Sequence, residues 1–174
     1  MKKTKAAIVG ASGYSGQELI RLLLRHPHVE ITHFTSRQYA GKAVADIFPR
    51  FRGRVDATFV EPKVEDIDTD VVFLALPHGV AAEYAPALLK KGIKVLDLSA
   101  DFRLKSAVVY QEFYEHAHPA PDLLKTSVYG LPEIHRDEIR KANLVACPGC
   151  YPTSIILGVM PALRKGLGKR FGTR

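Results

Sequence analysis

Lys5-Ala-Ala-Ile-Val-Gly10-Ala-Ser-Gly-Tyr-Ser-Gly16 passes from an apolar run through a glycine turn into Gln17–Arg25, where Leu19, Ile20, Leu22, Leu23 and Leu24 cluster. Such a run, turn and apolar-rich segment predict strand, loop and helix in that order. The spacing is G-x-x-G-x-x-G, not the commoner G-x-G-x-x-G. Glycines at the mouth of a helix still let a pyrophosphate approach backbone N–H groups. A glycine repeat carries weight when it follows a strand and opens a helix, as here. Gly10, Ser12, Gly13, Tyr14, Ser15 and Gly16 are therefore candidate nucleotide-binding residues.

Working outward, His26-Pro27 stops the helix and Val29–Thr35 returns as a second strand. A fold that prefers NAD usually places an acid at the end of this strand for the ribose hydroxyls. Thr35-Ser36-Arg37 stands there instead. Arg37 can pair with a 2′-phosphate and Ser36 can donate to it, so the expected cofactor is NADP. Gln38–Val64 reads as loop with a short helix, with Ala57–Val60 as a strand.

Val71–Leu76 is a buried strand, broken by Pro77-His78-Gly79 before a helix over Val80–Lys91 that Gly92 ends. Lys94–Leu98 is the next strand, followed by the polar loop Ser99-Ala-Asp-Phe-Arg103. Alternating elements of this kind predict an α/β fold with a doubly wound parallel sheet. Pro77, His78, Ser99 and Arg103 then fall on the carboxyl edge, where open α/β sheets bind ligands. Leu104–Leu131 shows no sustained period and reads as irregular chain, with a short helix over Glu133–Ala142.

The last strand enters Asn143-Leu-Val-Ala-Cys147-Pro-Gly-Cys150-Tyr-Pro-Thr153, and Tyr151–Lys165 reads as a helix. Cys150 thus lies at a helix start, where unpaired N–H groups and the helix dipole favour a thiolate. The residue-level alternative is a small buried thiol. Cys147-Pro-Gly-Cys150 is also formally C-x-x-C, so a dithiol redox protein is a competing reading. Its position after several βα units, not after the first strand, counts against a thioredoxin-like fold.

Composition excludes other classes. The 174 residues, 47% hydrophobic and 25% charged, suit one domain of ordinary size. No apolar run approaches the roughly 18 residues of a membrane span and no leader pattern opens the chain, so the expected compartment is the cytoplasm. The net charge of +7 owes much to Arg164–Arg174. That acid-free segment reads as a frayed or cut end, and nucleic acid is not expected as a partner. His116-Ala-His118 lacks the further ligands of a zinc site, so no metal is expected.

Taken together, Ile8–Gly16, Thr35–Arg37, Phe73–Gly79, Asp97–Arg103, Tyr129–Glu133 and Pro148-Gly-Cys-Tyr-Pro-Thr153 resemble the N-acetyl-γ-glutamyl-phosphate reductase family. The resemblance implies NADPH-dependent reduction of an acyl phosphate in arginine biosynthesis. Cys150 would be the nucleophile, with Ser99 and Arg103 holding the substrate phosphate. It also implies an NADP-binding domain over residues 1–150, with residues 151–174 only beginning a second, substrate-binding and dimerising domain. The general acid/base histidine of that domain would be missing, so a truncated, weakly active or inactive form is expected, full-length relatives being homo-oligomers. Cys147 departs from the family, in which many members carry Asn there. Two further readings stand beside this one: a non-catalytic NADP-binding module, and a sister reductase acting on an aminoadipyl or aspartyl phosphate.

Overall fold

The structure, a computed structural model, describes residues 2–167. Most of the basic segment Arg164–Arg174, and with it part of the reading of residues 151–174, lies outside the described residues.

The first strand, β1 (Thr4–Val9), is buried from Ala6 onward. Its side chains alternate between two apolar clusters: Ala7 and Val9 face one, Ile8 the other. A strand buried on both faces needs helices on both sides of its sheet, and the chain supplies them. Helix α1 (Tyr14–Leu23) sends Ile20 into the Ile8 cluster. After β2 (Val29–Thr35), the short α2 (Val44–Ile47) and β3 (Val71–Leu74), helix α3 (Ala81–Lys90) places Ala81, Ala85 and Leu88 in the Val9 cluster.

The remaining elements are β4 (Lys94–Asp97), α4 (Ala107–Tyr114), α5 (Pro121–Thr126), β5 (Val128–Tyr129), α6 (Pro132–Lys141), β6 (Leu144–Ala146) and α7 (Cys150–Arg164). The sheet has six strands in the order β2-β1-β3-β4-β6-β5, with every neighbouring pair parallel. This is the expected doubly wound architecture, with the strand order reversing between β1 and β3.

Two expectations are corrected. Leu104–Leu131 is not irregular, since it contains α4, α5 and β5. Ala57–Val60 is not a full strand: Val60 makes a single parallel bridge to Thr35, and Thr58 an antiparallel one to Ala43. Helix α7 contributes no buried residue, and its large apolar side chains Tyr151 (79% exposed), Ile155 (62%) and Leu163 (56%) stand in the open.

Past the strand ends, hydrogen bonds continue from loop to loop. Ala75 N–H donates to the Val9 carbonyl (2.8 Å), Leu98 N–H to Leu74 (3.0 Å) and Cys147 N–H to Asp97 (2.7 Å). The glycine turn, the Pro77 turn, the Ser99 loop and the Cys150 turn are thereby aligned along one carboxyl edge.

Candidate functional site

The glycine turn is built by backbone contact. Gly10 has φ +87°, and a Cβ on it would sit 2.3 Å from the Ala75 carbonyl oxygen. A Cβ on Gly16 would meet the Gly10 carbonyl oxygen at 2.3 Å and Ala11 Cα at 2.6 Å. These two positions admit only glycine because turn, strand and helix touch there. Gly13 is different: the nearest atom to its added Cβ is the Gly10 carbonyl oxygen at 3.5 Å, an ordinary contact. Its bareness leaves room on the outer side, beside the exposed Tyr14 and Ser15. Gly13 caps α1 without a side-chain hydrogen bond, and the first turn carries no acid, so the leading N–H groups suit an anion.

A groove of about 300 Å³ continues from this turn, lined by Gly10, Ser12, Ser36, Arg37, Leu76 and Pro77 among others. Ser36 is buried, its hydroxyl 2.8 Å from Ser12 Oγ and accepting from Tyr39 N–H at 3.2 Å. The Ser36 hydroxyl thus braces the turn against the end of β2. Arg37 is exposed, and its Nη2 donates to the Tyr84 hydroxyl at 2.9 Å. Another concavity, near Lys3, Val29 and Arg54, lies toward the amino edge, away from these loops.

His78 does not face the groove as Pro77 does. Its Nδ1 lies 2.7 Å from Asp101 Oδ1, and its ring stacks on Tyr114 with centroids 4.1 Å apart. The fully buried Asp101 carboxylate also accepts from Gly79 N–H (2.7 Å) and Ala82 N–H (3.0 Å), capping α3 from another loop. The imidazoles of His116 and His118 are occupied too. His116 bonds the Tyr114 carbonyl and the Tyr110 hydroxyl, while His118 Nδ1 accepts from Ala120 N–H and Nε2 donates to the Asp101 carbonyl. Burial holds the His118 pKa below its usual value.

Ser99 is 6% exposed, donating its hydroxyl proton to Asp97 (2.9 Å) and accepting from Asp101 N–H (3.1 Å). In this arrangement the Ser99 hydroxyl spends its proton on Asp97 and shapes the loop. Desolvation of the buried Asp97 carboxyl raises its pKa to about 6, against the opposing effect of the Ser99 hydrogen bonds. Arg103, in contrast, reaches the cysteine turn. Its Nε donates to the Cys147 carbonyl at 2.8 Å and its Nη2 to the Leu98 carbonyl at 3.1 Å. Its Nη1 lies 3.2 Å from where a Gly149 Cβ would be.

Cys150 is the first residue of α7, exposed, and follows Gly149 as helix cap with no acid in the first turn. Cys147 is its opposite: burial, and then the Asp97 charge, push its thiol up to about 11. The C-x-x-C pair thus holds one open and one enclosed sulfur.

Residues 5–142 match the family described as semialdehyde dehydrogenase, NAD binding domain. The chain belongs to this family. It is 53% identical over 164 residues to an N-acetyl-γ-glutamyl-phosphate reductase of Cellvibrio japonicus, covering 94% of this chain and 47% of that protein. The like-named protein of Desulfotalea psychrophila is 54% identical over 167 residues, covering 95% and 48%. The chain therefore spans about half the length of the relatives it matches. Among solved structures, an aspartate semialdehyde dehydrogenase of Vibrio cholerae superposes with a TM-score of 0.67 at 21% identity, over 94% of this chain and 47% of that one. The Candida albicans aspartate semialdehyde dehydrogenase, solved with NADP, gives 0.66 at 19% over 93% and 47%. Both likenesses concern the fold.

As a semialdehyde dehydrogenase nucleotide domain, the chain takes a nicotinamide cofactor. Two residues of this site escaped the sequence reading. Asp101 caps a helix that begins 20 residues earlier in the chain, and Tyr84 meets Arg37 across 47 positions. Neither relation leaves a local pattern. Among the described residues no helix is long and apolar enough to cross a membrane.

Proposed function

We propose that the chain carries the cofactor-binding and nucleophile-bearing part of an N-acetyl-γ-glutamyl-phosphate reductase, and that its cofactor is NADP. The observation that carries this reading is Cys150: an exposed thiol at the head of α7, on the same sheet edge as the glycine turn, next in the chain to Gly149, which the Arg103 guanidinium approaches. The relatives at 53% and 54% identity bear the reductase name, which supports the substrate class.

In the proposed reaction the Cys150 thiolate attacks the acyl carbon of the acyl phosphate. A C–S bond forms, the C–O bond to phosphate breaks, and inorganic phosphate departs with its electron pair. Arg103 has Nη1 available on the cysteine turn to hold the phosphoryl oxygens, while its Nε and Nη2 stay anchored on carbonyls. A reduced nicotinamide held at the glycine turn would supply the hydride that takes the thioester to the semialdehyde and frees Cys150 as thiolate. Splitting one displacement into two steps is the ordinary advantage of covalent catalysis. Gly13 and the head of α1 hold the pyrophosphate, and Arg37 faces the ribose end of the groove. The open apolar side of α7 is the surface on which substrate-binding and subunit contacts are expected.

The test is acyl capture. Incubating the chain with N-acetyl-γ-glutamyl phosphate and digesting at low pH is expected to yield a peptide bearing the acyl group on Cys150. A Cys150→Ser variant should yield none. Acylation elsewhere, or none while the protein is folded and its Cys150 alkylates normally, would remove the nucleophile assignment.

A further inference from the structure

Arg37 and Tyr84 share the rim of a second pocket, of about 310 Å³, with Glu61, Pro62 and Lys63. Arg37 and Pro62 also line the cofactor groove, so the two concavities adjoin at the end of β2. We propose that Tyr84 is a specificity-determining residue that holds Arg37 in place for a ribose 2′-phosphate and so sets the preference for NADP over NAD; this rests on the NADP reading above.

Three observations carry the inference. First, Tyr84 is a rigid anchor: it is 9% exposed and packs in the core cluster of α3, while its hydroxyl accepts from Arg37 Nη2 at 2.9 Å. An exposed arginine otherwise samples many rotamers, and fixing it before the ligand arrives lowers the cost of ordering it on binding. Second, the partner is a neutral phenol. A carboxylate in its place would hold the guanidinium equally well but cancel its charge, whereas the phenol occupies one of five N–H donors and leaves the cation to a dianion. Third, the acid on this rim is already engaged, because Glu61 pairs with Lys63 at 2.9 Å. The backbone beneath Arg37 is also fixed, with Ser36 N–H donating to the Val60 carbonyl (2.9 Å) and Tyr39 N–H to Ser36 Oγ (3.2 Å).

The experiment titrates the chain with adenosine 2′,5′-bisphosphate and with adenosine 5′-monophosphate, which differ only in the 2′-phosphate. The ratio of the two Kd values is measured for wild type, Tyr84→Phe, Arg37→Ala and the double variant. General loosening of the site, or a smaller folded fraction, moves both Kd values and cancels in the ratio. The Tyr84→Phe ratio is expected to shift toward the monophosphate by on the order of fivefold, and that of Arg37→Ala by more. The double variant should match Arg37→Ala, since Tyr84 acts through Arg37. If Arg37→Ala shifts the ratio but Tyr84→Phe does not, or if Tyr84→Phe keeps its full effect without Arg37, the role of Tyr84 is overturned and the NADP reading stands. If Arg37→Ala leaves the ratio unchanged, the NADP reading falls and this inference with it.

Discussion

Replacing Asp101 by alanine should be among the most damaging single changes in the chain. Its carboxylate accepts from Gly79 N–H at 2.7 Å and from Ala82 N–H at 3.0 Å, the latter bond being buried. Removing it strips the charged cap from α3 and leaves at least one enclosed N–H without an acceptor. A lost cap costs about 1 kcal/mol, and a stranded buried donor about 1–3 kcal/mol. Relief of the buried charge offsets part of this, leaving a net loss on the order of 3 kcal/mol, against a total of about 5–15 for an ordinary domain. Asp101→Asn keeps one carbonyl oxygen but turns an amide toward the second N–H, so its loss should be smaller, about 2 kcal/mol. His78→Gln removes the contact with Asp101 and the ring's stacking on Tyr114 from a side chain that is one-third exposed, at 33%, and should cost about 1 kcal/mol. Urea unfolding followed by far-ultraviolet circular dichroism gives all three values. Asp101→Ala within about 1 kcal/mol of wild type would refute the capping argument. A loss in His78→Gln equal to that in Asp101→Ala would shift the weight to the contact between His78 and Asp101.

The other predictions concern the two cysteines, the buried carboxyl and the glycine turn. Iodoacetamide near neutral pH should modify Cys150 and spare Cys147, whose thiol is pushed up to about 11, as peptide mass spectrometry will show; equal labelling would contradict the contrast between the two sulfurs. Asp97 has a folded pKa of about 6, above its unfolded value of 3.8, so its contribution to stability is full below about pH 4 and lost as pH rises through 6. Asp97→Asn should therefore gain stability relative to wild type between pH 4 and pH 7, by on the order of 3 kcal/mol, and a pH-independent difference in urea midpoints would count against it. Gly16→Ala drives a Cβ to 2.3 Å from the Gly10 carbonyl and should abolish measurable NADPH binding in a fluorescence titration while costing about 2 kcal/mol or more; unaltered binding would mean that the turn can shift.

The sequence exposed those parts of the fold that are written locally. The β1–turn–α1 unit, the strands at Val71 and Lys94 and the helix after Cys150 each carry their own period or punctuation. What stayed hidden depends on length or on distance. Helix α4 spans eight residues and buries only Tyr110, too short for a period to emerge, although Ser106 caps it through Val109 N–H. Helix α5 has six residues and a proline in its first turn, a start signal without a following pattern. Ala57–Val60 has strand composition, but the sheet takes only Val60 from it. Ser99 shows the limit at side-chain level: its place on the edge was legible, whereas its commitment to Asp97 depends on which way the loop turns.

That commitment bears on how the site works. Asp97, Ser99, Asp101 and His78 form one polar chain from the end of β4 to the head of α3, with Ser99 giving its proton to Asp97 and bracing Asp101 N–H. The same loop also fixes the cysteine turn, since Asp97 accepts from Cys147 N–H and Arg103 donates to the Cys147 carbonyl. Leu98–Arg103 therefore sets the position of both the turn at Pro77 and the turn at Cys150. Among the described residues no buried side-chain nitrogen or oxygen lacks a hydrogen-bond partner. A loop whose polar atoms are saturated has few alternative arrangements of similar energy, so the distance between the two turns is held before any ligand arrives. Hydride and acyl transfer need their reacting atoms placed to within about half an ångström, and a stiff buried loop supplies that where an exposed one does not. In the proposed reaction the buried carboxylates Asp97 and Asp101 would therefore act by holding the two turns in place.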